Sequence, residues 1–191
     1  MTREEAFNFL SSQVKNPNLI KHHLAAEAVM KALYAKLNPQ VNPAELEKWG
    51  LVGLLHDADY ELSKNHPEKH SLILEKKIGN QLPPDVLYAI KSHAFQYNLV
   101  EPKSQMDWAM YCSDELTGLI IAAMLIHPDK KLSSLTVDFI LNRFNEPLFA
   151  KGANREQIKT CESKLGISLN EFINTALLAM QSIAQELEKN N

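Results

Sequence analysis

The chain has 191 residues, of which 45% are hydrophobic, and this length suits one domain that buries a substantial core. Its net charge of -3, with both signs scattered along the chain, excludes a basic face for nucleic-acid polymers or for acidic membranes. The apolar run over residues 116–126 is too short to cross a bilayer, and residues 1–5 lack the pattern of a signal peptide, so we expect a soluble, cytoplasmic protein.

Apolar spacing and helix-breaking residues predict an all-α fold. Leu and Ala outnumber Val and Ile, which favours helix over strand. In the last segment apolar side chains recur at steps of three and one from Leu169 to Leu187, and Ser168 with Glu171 forms a capping-box pattern before them. In chain order, the predicted helices cover residues 19–37, 43–56, 67–78, 84–97, 105–126, 133–144, 154–165 and 169–187. Short linkers predict a single domain over residues 1–191, in which the C-terminal helices of residues 131–188 pack on the rest.

Histidines are concentrated in the first half of the chain, which contains His22, His23, His56, His66, His70 and His93. The apolar run over residues 51–55 leads directly into His56 and Asp57, at the buried end of a predicted helix. Asp114 lies midway along the long fifth predicted helix, among apolar neighbours. A buried charge must be paired or bind a metal, and mixed imidazole and carboxylate ligands suit a divalent ion such as Mn, Fe, Ni or Zn. One of the two adjacent histidines of the first predicted helix would complete a set of four ligands.

The order His22, His56, Asp57 and Asp114 resembles the HD superfamily of metal-dependent phosphohydrolases, and a small residue, Ala26, stands four positions after His22 as in that motif. The stretches that resemble small stand-alone bacterial HD proteins are residues 49–57, 66–70 and 114–118, within a resemblance over residues 18–127. The resemblance implies an HD-domain helical bundle in which these four residues bind a first metal ion. It also places His56 and Asp57 at the catalytic centre.

Some HD proteins bind a second metal ion through two further histidines between the His-Asp pair and the last aspartate. His70 and His93 stand in that order here, so the resemblance implies a six-ligand site that Asp57 bridges. The implied cofactor is one or two divalent ions, among them Mn, Fe, Ni, Zn, Co or Mg. Where many relatives have His-Asp-Ile-Gly-Lys, residues 56–60 are His-Asp-Ala-Asp-Tyr. The lysine that some relatives use is therefore absent, and their general acid is not carried over to this chain.

The activity that the resemblance implies is hydrolysis of a phosphate ester, either a nucleotide or a small phosphorylated metabolite, by a metal-activated water. Two alternatives stay open at this point. One is a di-iron HD-type oxygenase that cleaves C–C or C–P bonds, and the other is a non-catalytic HD module for ligand binding or signalling. The expected partner is a small-molecule phosphate ester, while the substrate's identity and the formation of a homo-oligomer are left open.

Several other residues near these motifs have two interpretations each. His23 and His66 either face solvent or support a ligand, and His127 fits a cation at a helix C-terminus. Asp59 and Glu61 either orient a ligand histidine or lie in a solvated loop. Candidate phosphate-binding groups, which are otherwise surface charges, are Lys91, Lys130, Lys131, Lys151 and Arg155. Candidate pocket-lining aromatic side chains, which otherwise belong to the core, are Tyr60, Phe95, Trp108 and Tyr111.

Overall fold

Helices form the regular structure of residues 1–189, the part of the chain that this computed structural model describes. In chain order the helices are α1 (Arg3–Gln13), α2 (Pro17–Leu37), α3 (Pro43–Leu55), α4 (Tyr60–Ser63), α5 (Leu72–Ile78), α6 (Pro84–His93), α7 (Phe95–Asn98), α8 (Gln105–Ile126), α9 (Val137–Phe144), α10 (Arg155–Thr160), α11 (Leu169–Ser182) and α12 (Ala184–Glu188). Short 3-10 turns lie at Pro67–Lys69, Gly79–Gln81 and Leu132–Ser134, and a π-helical turn lies at Cys161–Leu165. Residues 1–189 contain no strand, so the predicted all-α class is confirmed, while residues 190–191 of the predicted domain lie outside the described residues.

Side-chain caps begin the long helices where the sequence has Asn, Ser or Thr. Asn16 and Asn42 each accept a hydrogen bond from the backbone two residues ahead, and a proline follows each as the first helical residue. Ser104 and Ser168 form capping boxes with an acidic residue three positions later, the second of them as predicted. A third box at Thr2 begins α1, which is absent from the predicted helices because it buries too few side chains for a clear apolar stripe.

The prediction of uninterrupted helices is wrong at several places. Residues 67–78 form a 3-10 turn and then α5, because His70 is extended and Ser71 has a left-handed φ of 63°. α6 and α7 are separated at Ala94, and α11 and α12 are separated at Ile183. The break at His70 matters most, since it changes the direction in which a predicted ligand projects.

The core lies where α2, α3 and α8 pack together, with α6 on α3 and α8, and α11 on α2 and α8. Gly53 permits the close approach of α3 to α2, because a Cβ at this position would lie 2.5 Å from the carbonyl oxygen of Ala26. The atoms that it would meet belong to the α2 backbone, which cannot move aside as a flexible side chain can. This contact brings the middle of α2 against the end of α3 that leads into His56.

Among residues 1–189, α8 is the one helix that is long and apolar enough to cross a membrane by length and composition alone. The prediction from the sequence compares only the apolar run of residues 116–126 with the thickness of a bilayer, whereas the helix begins at Gln105. Its most apolar window is 56% buried inside the protein, as in a core helix of a soluble protein. The burial of α8 therefore agrees with the predicted solubility, and the cytoplasmic location stays a prediction.

Candidate metal centre

Two groups of histidine and aspartate side chains meet in the core. The first group consists of His22, His56, Asp57 and Asp114, and the second group consists of Asp57, His70 and His93. Within each group, one ligand atom from every residue lies within 4.8 Å of the others. The structure thus brings together the six residues that the sequence suggests as metal ligands. Each group could hold a metal ion, and that an ion binds there stays a prediction.

The carboxylate of Asp57 lies between the two groups, and its oxygens face different ones. Oδ2 is 3.9 Å from Nε2 of His22 and 3.8 Å from Nε2 of His56. Oδ1 is 2.9 Å from Nε2 of His70 and 3.2 Å from Nε2 of His93. Asp57 can therefore offer one oxygen to each group, as a bridging carboxylate does.

Backbone carbonyl groups orient the histidines at the ends of α3 and α6. Nδ1 of His56 donates to the carbonyl oxygen of Gly53 at 2.8 Å, and Nδ1 of His93 donates to that of Ile90. Each acceptor lies three residues earlier in the same helix, so the local backbone geometry alone aims the ring. Because a carbonyl oxygen only accepts, the proton of the neutral imidazole is held at Nδ1 and the lone pair is at Nε2.

Side-chain oxygens, rather than backbone carbonyl groups, orient the rings of His22 and His70. Nδ1 of His70 donates to Oδ1 of Asp59 at 2.8 Å, and Nδ1 of His22 donates to Oγ1 of Thr117 at 3.1 Å. Thr117 donates its own hydroxyl proton to the carbonyl oxygen of Asp114, so it acts as an acceptor toward His22. All the histidines of the two groups are therefore held at Nδ1 and present Nε2 to the cluster.

The Nε2 atoms converge in pairs. Those of His22 and His56 are 3.1 Å apart, and those of His70 and His93 are also 3.1 Å apart. Oδ1 of Asp114 completes the first pair, at 3.0 Å from His22 and 3.4 Å from His56. Such a convergence of nitrogen lone pairs and carboxylate oxygens is an electron-rich site, which requires a proton or a metal cation at its centre.

The charges and hydrogen bonds of the cluster hold the carboxylates of Asp57 and Asp114 in their ionised form. Burial alone would raise the pKa of Asp57, but the charge of His56 and the hydrogen bonds from His70 and His93 keep it well below its usual range. For Asp114, hydrogen bonds from two histidines likewise outweigh burial and lower the pKa. Burial would lower the pKa of His56, yet the charge of Asp57 and the hydrogen bond with Asp114 raise it. Both carboxylates are therefore available as ligands at neutral pH.

Asp59 orients His70, which decides between its two sequence interpretations. Its side chain is buried; Oδ1 accepts from Nδ1 of His70 and from the backbone N–H of Ser71, and Oδ2 accepts from the N–H of Leu74. Burial opposes the ionised form, but the hydrogen bond with His70 prevails and the pKa of Asp59 is lowered. Burial also opposes the charged form of His70, yet hydrogen bonds to Asp57 and Asp59 raise its pKa to about 10.

The remaining histidines and Glu61 lie outside the two groups. His66 is exposed and pairs with Glu68, so its solvent-facing interpretation holds. His127 is at the C-terminal cap of α8, where the sequence places it. His23 is fully buried, so the solvent-facing interpretation is wrong for it; within residues 1–189 neither of its ring nitrogens has a hydrogen-bond partner, and burial keeps its pKa well below the usual value. Glu61 accepts from two backbone N–H groups of the α1–α2 linker and orients no ligand.

Sequence reasoning missed two residues of α8 beside the cluster. Thr117 positions His22, and the only signal for it is its place one helical turn after Asp114. Glu115 is partly buried, and its Oε2 accepts a hydrogen bond from the backbone of Asn154 at 3.1 Å. Burial and the neighbouring charge of Asp114 raise the pKa of Glu115 to about 7.

The candidate phosphate-binding groups have different surroundings. Lys91 pairs with Glu75 at 2.8 Å, and Arg155 donates to backbone carbonyl groups of the segment before it. Lys130 is exposed, as is Lys131 next to it. Lys151, in contrast, borders a cavity that is also lined by ligands of the first group.

Of the aromatic candidates, Tyr60 has its ring centre 6.2 Å from that of His70. Trp108 and Tyr111 pack edge to face on each other along α8, and Phe95 begins α7 with its side chain partly buried. Within the part of the chain that the structure describes, none of these three rings packs against a histidine ring of either group.

Comparison of the chain with protein-family models, with curated proteins and with solved structures found no match. The geometry and chemistry of this cluster are therefore the basis on which a function can be proposed.

Proposed function

We propose that this protein binds two divalent metal ions in the two groups and hydrolyses a phosphate ester there. The observation that carries the proposal is the common orientation of the four imidazoles, each held at Nδ1 by an acceptor and presenting Nε2 to the cluster. Nε2 atoms 3.1 Å apart match two ligands of one ion, because ligand atoms bound at about 2.1 Å and at right angles lie about 3.0 Å apart.

The donor set is that of a catalytic rather than a structural metal site. The first group offers two nitrogens and two carboxylate oxygens, and the second offers two nitrogens and one oxygen. Imidazole and carboxylate ligands suit Mn, Fe, Co, Ni or Zn, and the absence of cysteine from both groups argues against a structural zinc. With three or four protein ligands, each group also leaves positions for water or a substrate oxygen.

Divalent ions bound there would supply positive charge opposite a phosphate group and an activated water for attack at phosphorus. The protein's own contribution is orientation. Asp57 directs one oxygen to each group and so faces the space in which the nucleophile and the phosphate must meet. His56 keeps its Nε2 at the same place through the carbonyl group of Gly53. We therefore assign the central role to Asp57 and His56. Thr117 is the positioning residue for His22, and Asp59 is the positioning residue for His70.

The test combines metal analysis with a phosphatase screen on the same purified sample, after loading with Mn, Co, Ni, Zn or Mg. We expect nearly two ions per chain and a turnover of phosphate esters that EDTA abolishes and added metal restores. His70→Gln should remove one of the two ions and reduce turnover by about a hundredfold or more. His66→Gln is the matched control, because this histidine is exposed and outside both groups, and it should keep both ions and full turnover.

Three outcomes would overturn the proposal. A tightly held mixed-valent iron pair with a visible or paramagnetic signal would favour the di-iron oxygenase over the hydrolase. Two bound ions without turnover on any phosphate ester would indicate a binding module. Protein that retains no ion after loading and dialysis would refute the metal centre itself.

A further inference from the structure

One cavity opens onto the cluster. His56, His70 and His93 are almost closed to solvent. The side chains of His22 and Asp114, in contrast, are 19% and 23% exposed. A cavity of about 350 Å³ is lined by both of these residues, by Glu115 and Gly118 of α8, and by residues 150–153. Through this side a molecule can reach the two partly exposed side chains of the first group.

The lining of the cavity is small, and the His22 imidazole, itself a candidate metal ligand, is the one ring among the described residues that line it. Gly118 faces open space, with no atom within 4 Å of where a Cβ would be, and the opposite wall is Ala150, Gly152 and Ala153. Among the described residues that line it there is no Phe, Tyr or Trp. Stacking on an aromatic side chain is worth about 1–3 kcal/mol per base in nucleic-acid-binding proteins, and here a base would find no Phe, Tyr or Trp and only an imidazole that the proposed ion would hold.

The polar groups of the lining fit a small phosphorylated compound with hydroxyl groups better than a nucleotide. Lys151 is the cationic side chain among the described lining residues, and a lysine binds a phosphate group as a point charge. Glu115 lines the same cavity and has a carboxylate that can accept hydrogen bonds from hydroxyl groups. The cavity therefore combines a cation for an anionic group with an acceptor for hydroxyl groups, next to two metal-ligand candidates.

The wall that carries Lys151 is held in place. The Arg155 guanidinium donates to the carbonyl groups of Phe144, Phe149, Ala150 and Ala153. The backbone N–H of Asn154 donates to Glu115, and Nε2 of Gln157 donates to the carbonyl oxygen of Tyr111 on α8 at 2.7 Å. These contacts hold the segment of residues 145–154 together and tie its end to α8, so Lys151 projects from a defined wall.

We propose that this cavity is the substrate site and that it takes a small hydroxylated phosphate monoester, of the polyol or sugar phosphate class, with Lys151 binding the phosphate group. The inference rests on the proposed function, because it assigns a substrate class to the same metal centre. A phosphate monoester carries a charge of about -1.5 to -2 at neutral pH, which the ions and Lys151 would share. Glu115 accepts hydrogen bonds from the hydroxyl groups of the alcohol portion.

The experiment compares Lys151→Gln with Lys159→Gln in metal-loaded protein. Both lysines are exposed, but Lys159 pairs with Glu156 on α10 and does not line the cavity, so it is the matched control. Binding of inorganic phosphate is measured by calorimetry, and turnover is measured on glycerol phosphate, a hexose phosphate and a nucleoside monophosphate. Metal content and melting temperature are measured for every sample.

We expect Lys151→Gln to weaken phosphate binding about tenfold and to raise KM by a similar factor, with kcat changed less than about twofold. Lys159→Gln should match the unaltered protein, and the polyol or sugar phosphate should have a kcat/KM about tenfold or more above that of the nucleotide. Phosphate binding that is unchanged in Lys151→Gln, or a preference for the nucleotide, would overturn the inference while leaving the hydrolase intact. If Lys151→Gln loses phosphate binding and the metal-loaded unaltered protein turns over no ester, the result would support the anion site and refute hydrolysis.

Discussion

Replacement of Asp59 tests whether a carboxylate outside the ligand set controls the second metal ion. In Asp59→Ala three buried donors lose their acceptor, namely Nδ1 of His70 and the backbone N–H groups of Ser71 and Leu74. Each donor left unsatisfied costs about 1–3 kcal/mol, so the loss for the three donors would be about 3–9 kcal/mol. That is a large part of the free energy of unfolding of an ordinary domain, about 5–15 kcal/mol, and the protein could fail to fold.

Asp59→Asn is therefore the sharper change. The amide oxygen can still accept from His70 and Ser71, but the amide nitrogen would then face the N–H of Leu74, two donors toward each other, at a cost of about 1–3 kcal/mol. The hydrogen bond to His70 also loses its charge. Because partners of ligand histidines typically contribute a factor of 10–100 in metal affinity, we expect the second ion to bind roughly 10–100 times more weakly, with the first ion much less affected.

The assay is metal titration by calorimetry, with the ion content measured after dialysis and the melting temperature recorded for each variant. Glu61→Gln is the matched control, because Glu61 also accepts two backbone hydrogen bonds but lies away from the ligands. It should lower the melting temperature without changing the ion content. If Asp59→Asn keeps both ions at unaltered affinity, the orienting role of Asp59 is refuted; if both ions weaken equally, the effect is on folding rather than on His70.

Three further predictions concern stability. Gly53→Ala should cost at least about 2 kcal/mol in urea unfolding, since its Cβ would meet the Ala26 backbone, whereas Gly118→Ala, which faces open space in a helix, should gain about 0.5–1 kcal/mol; equal effects would contradict the packing argument. Chelation with EDTA should lower the melting temperature because ions bind only the folded ligand set, and an unchanged value would count against a core metal. In the chelated protein the pKa of His70 is raised from 6.5 to about 10, so its stabilising contribution is complete below 6.5 and is lost as the pH rises through 10. If the chelated protein instead becomes more stable as the pH rises from 6.5 to about 10, the predicted direction of the pH dependence is refuted.

Several metal-ligand candidates could be predicted from the sequence because each is a polar side chain among apolar helical neighbours, whereas His70 and His93 are predicted only from the resemblance. Asp57 and Asp114 both follow this rule, and so does the pair at positions 22 and 23. Periodicity alone did not choose between His22 and His23, since adjacent residues of a helix differ by only about 100° in direction and both rings are on the inner side. The resemblance favoured His22, and the structure places its Nε2, not that of His23, in the cluster.

The break after the 3-10 turn could not be predicted, because its cause is not local. Pro67 and the residues after it have the composition of a helix start, and a window of neighbouring residues predicts one helix to Ile78. In the structure Asp59, a distant residue, accepts from Ser71 and Leu74 and so caps α5 from outside. The same carboxylate holds His70, so the cap and the ligand orientation are one interaction that appears only when the chain is folded.

The approach of α2 to α3 connects core packing with the chemistry of the first group. Gly53, where the two backbones touch, lies three residues before His56, and its carbonyl oxygen accepts the Nδ1–H of that histidine at 2.8 Å. Ala26, on the other side of the contact, lies four residues after His22 and on the same face of α2. At a rise of about 1.5 Å per residue, the point of contact is about 4.5 Å along the axis of α3 from His56 and about 6 Å along the axis of α2 from His22. A Cβ at position 53 that separated the helices by about 1 Å would move the two Nε2 atoms beyond the roughly 3 Å that one ion can span. We therefore expect Gly53→Ala to weaken binding of the first ion as well as stability, and to affect the second group less, because its histidines come from other elements.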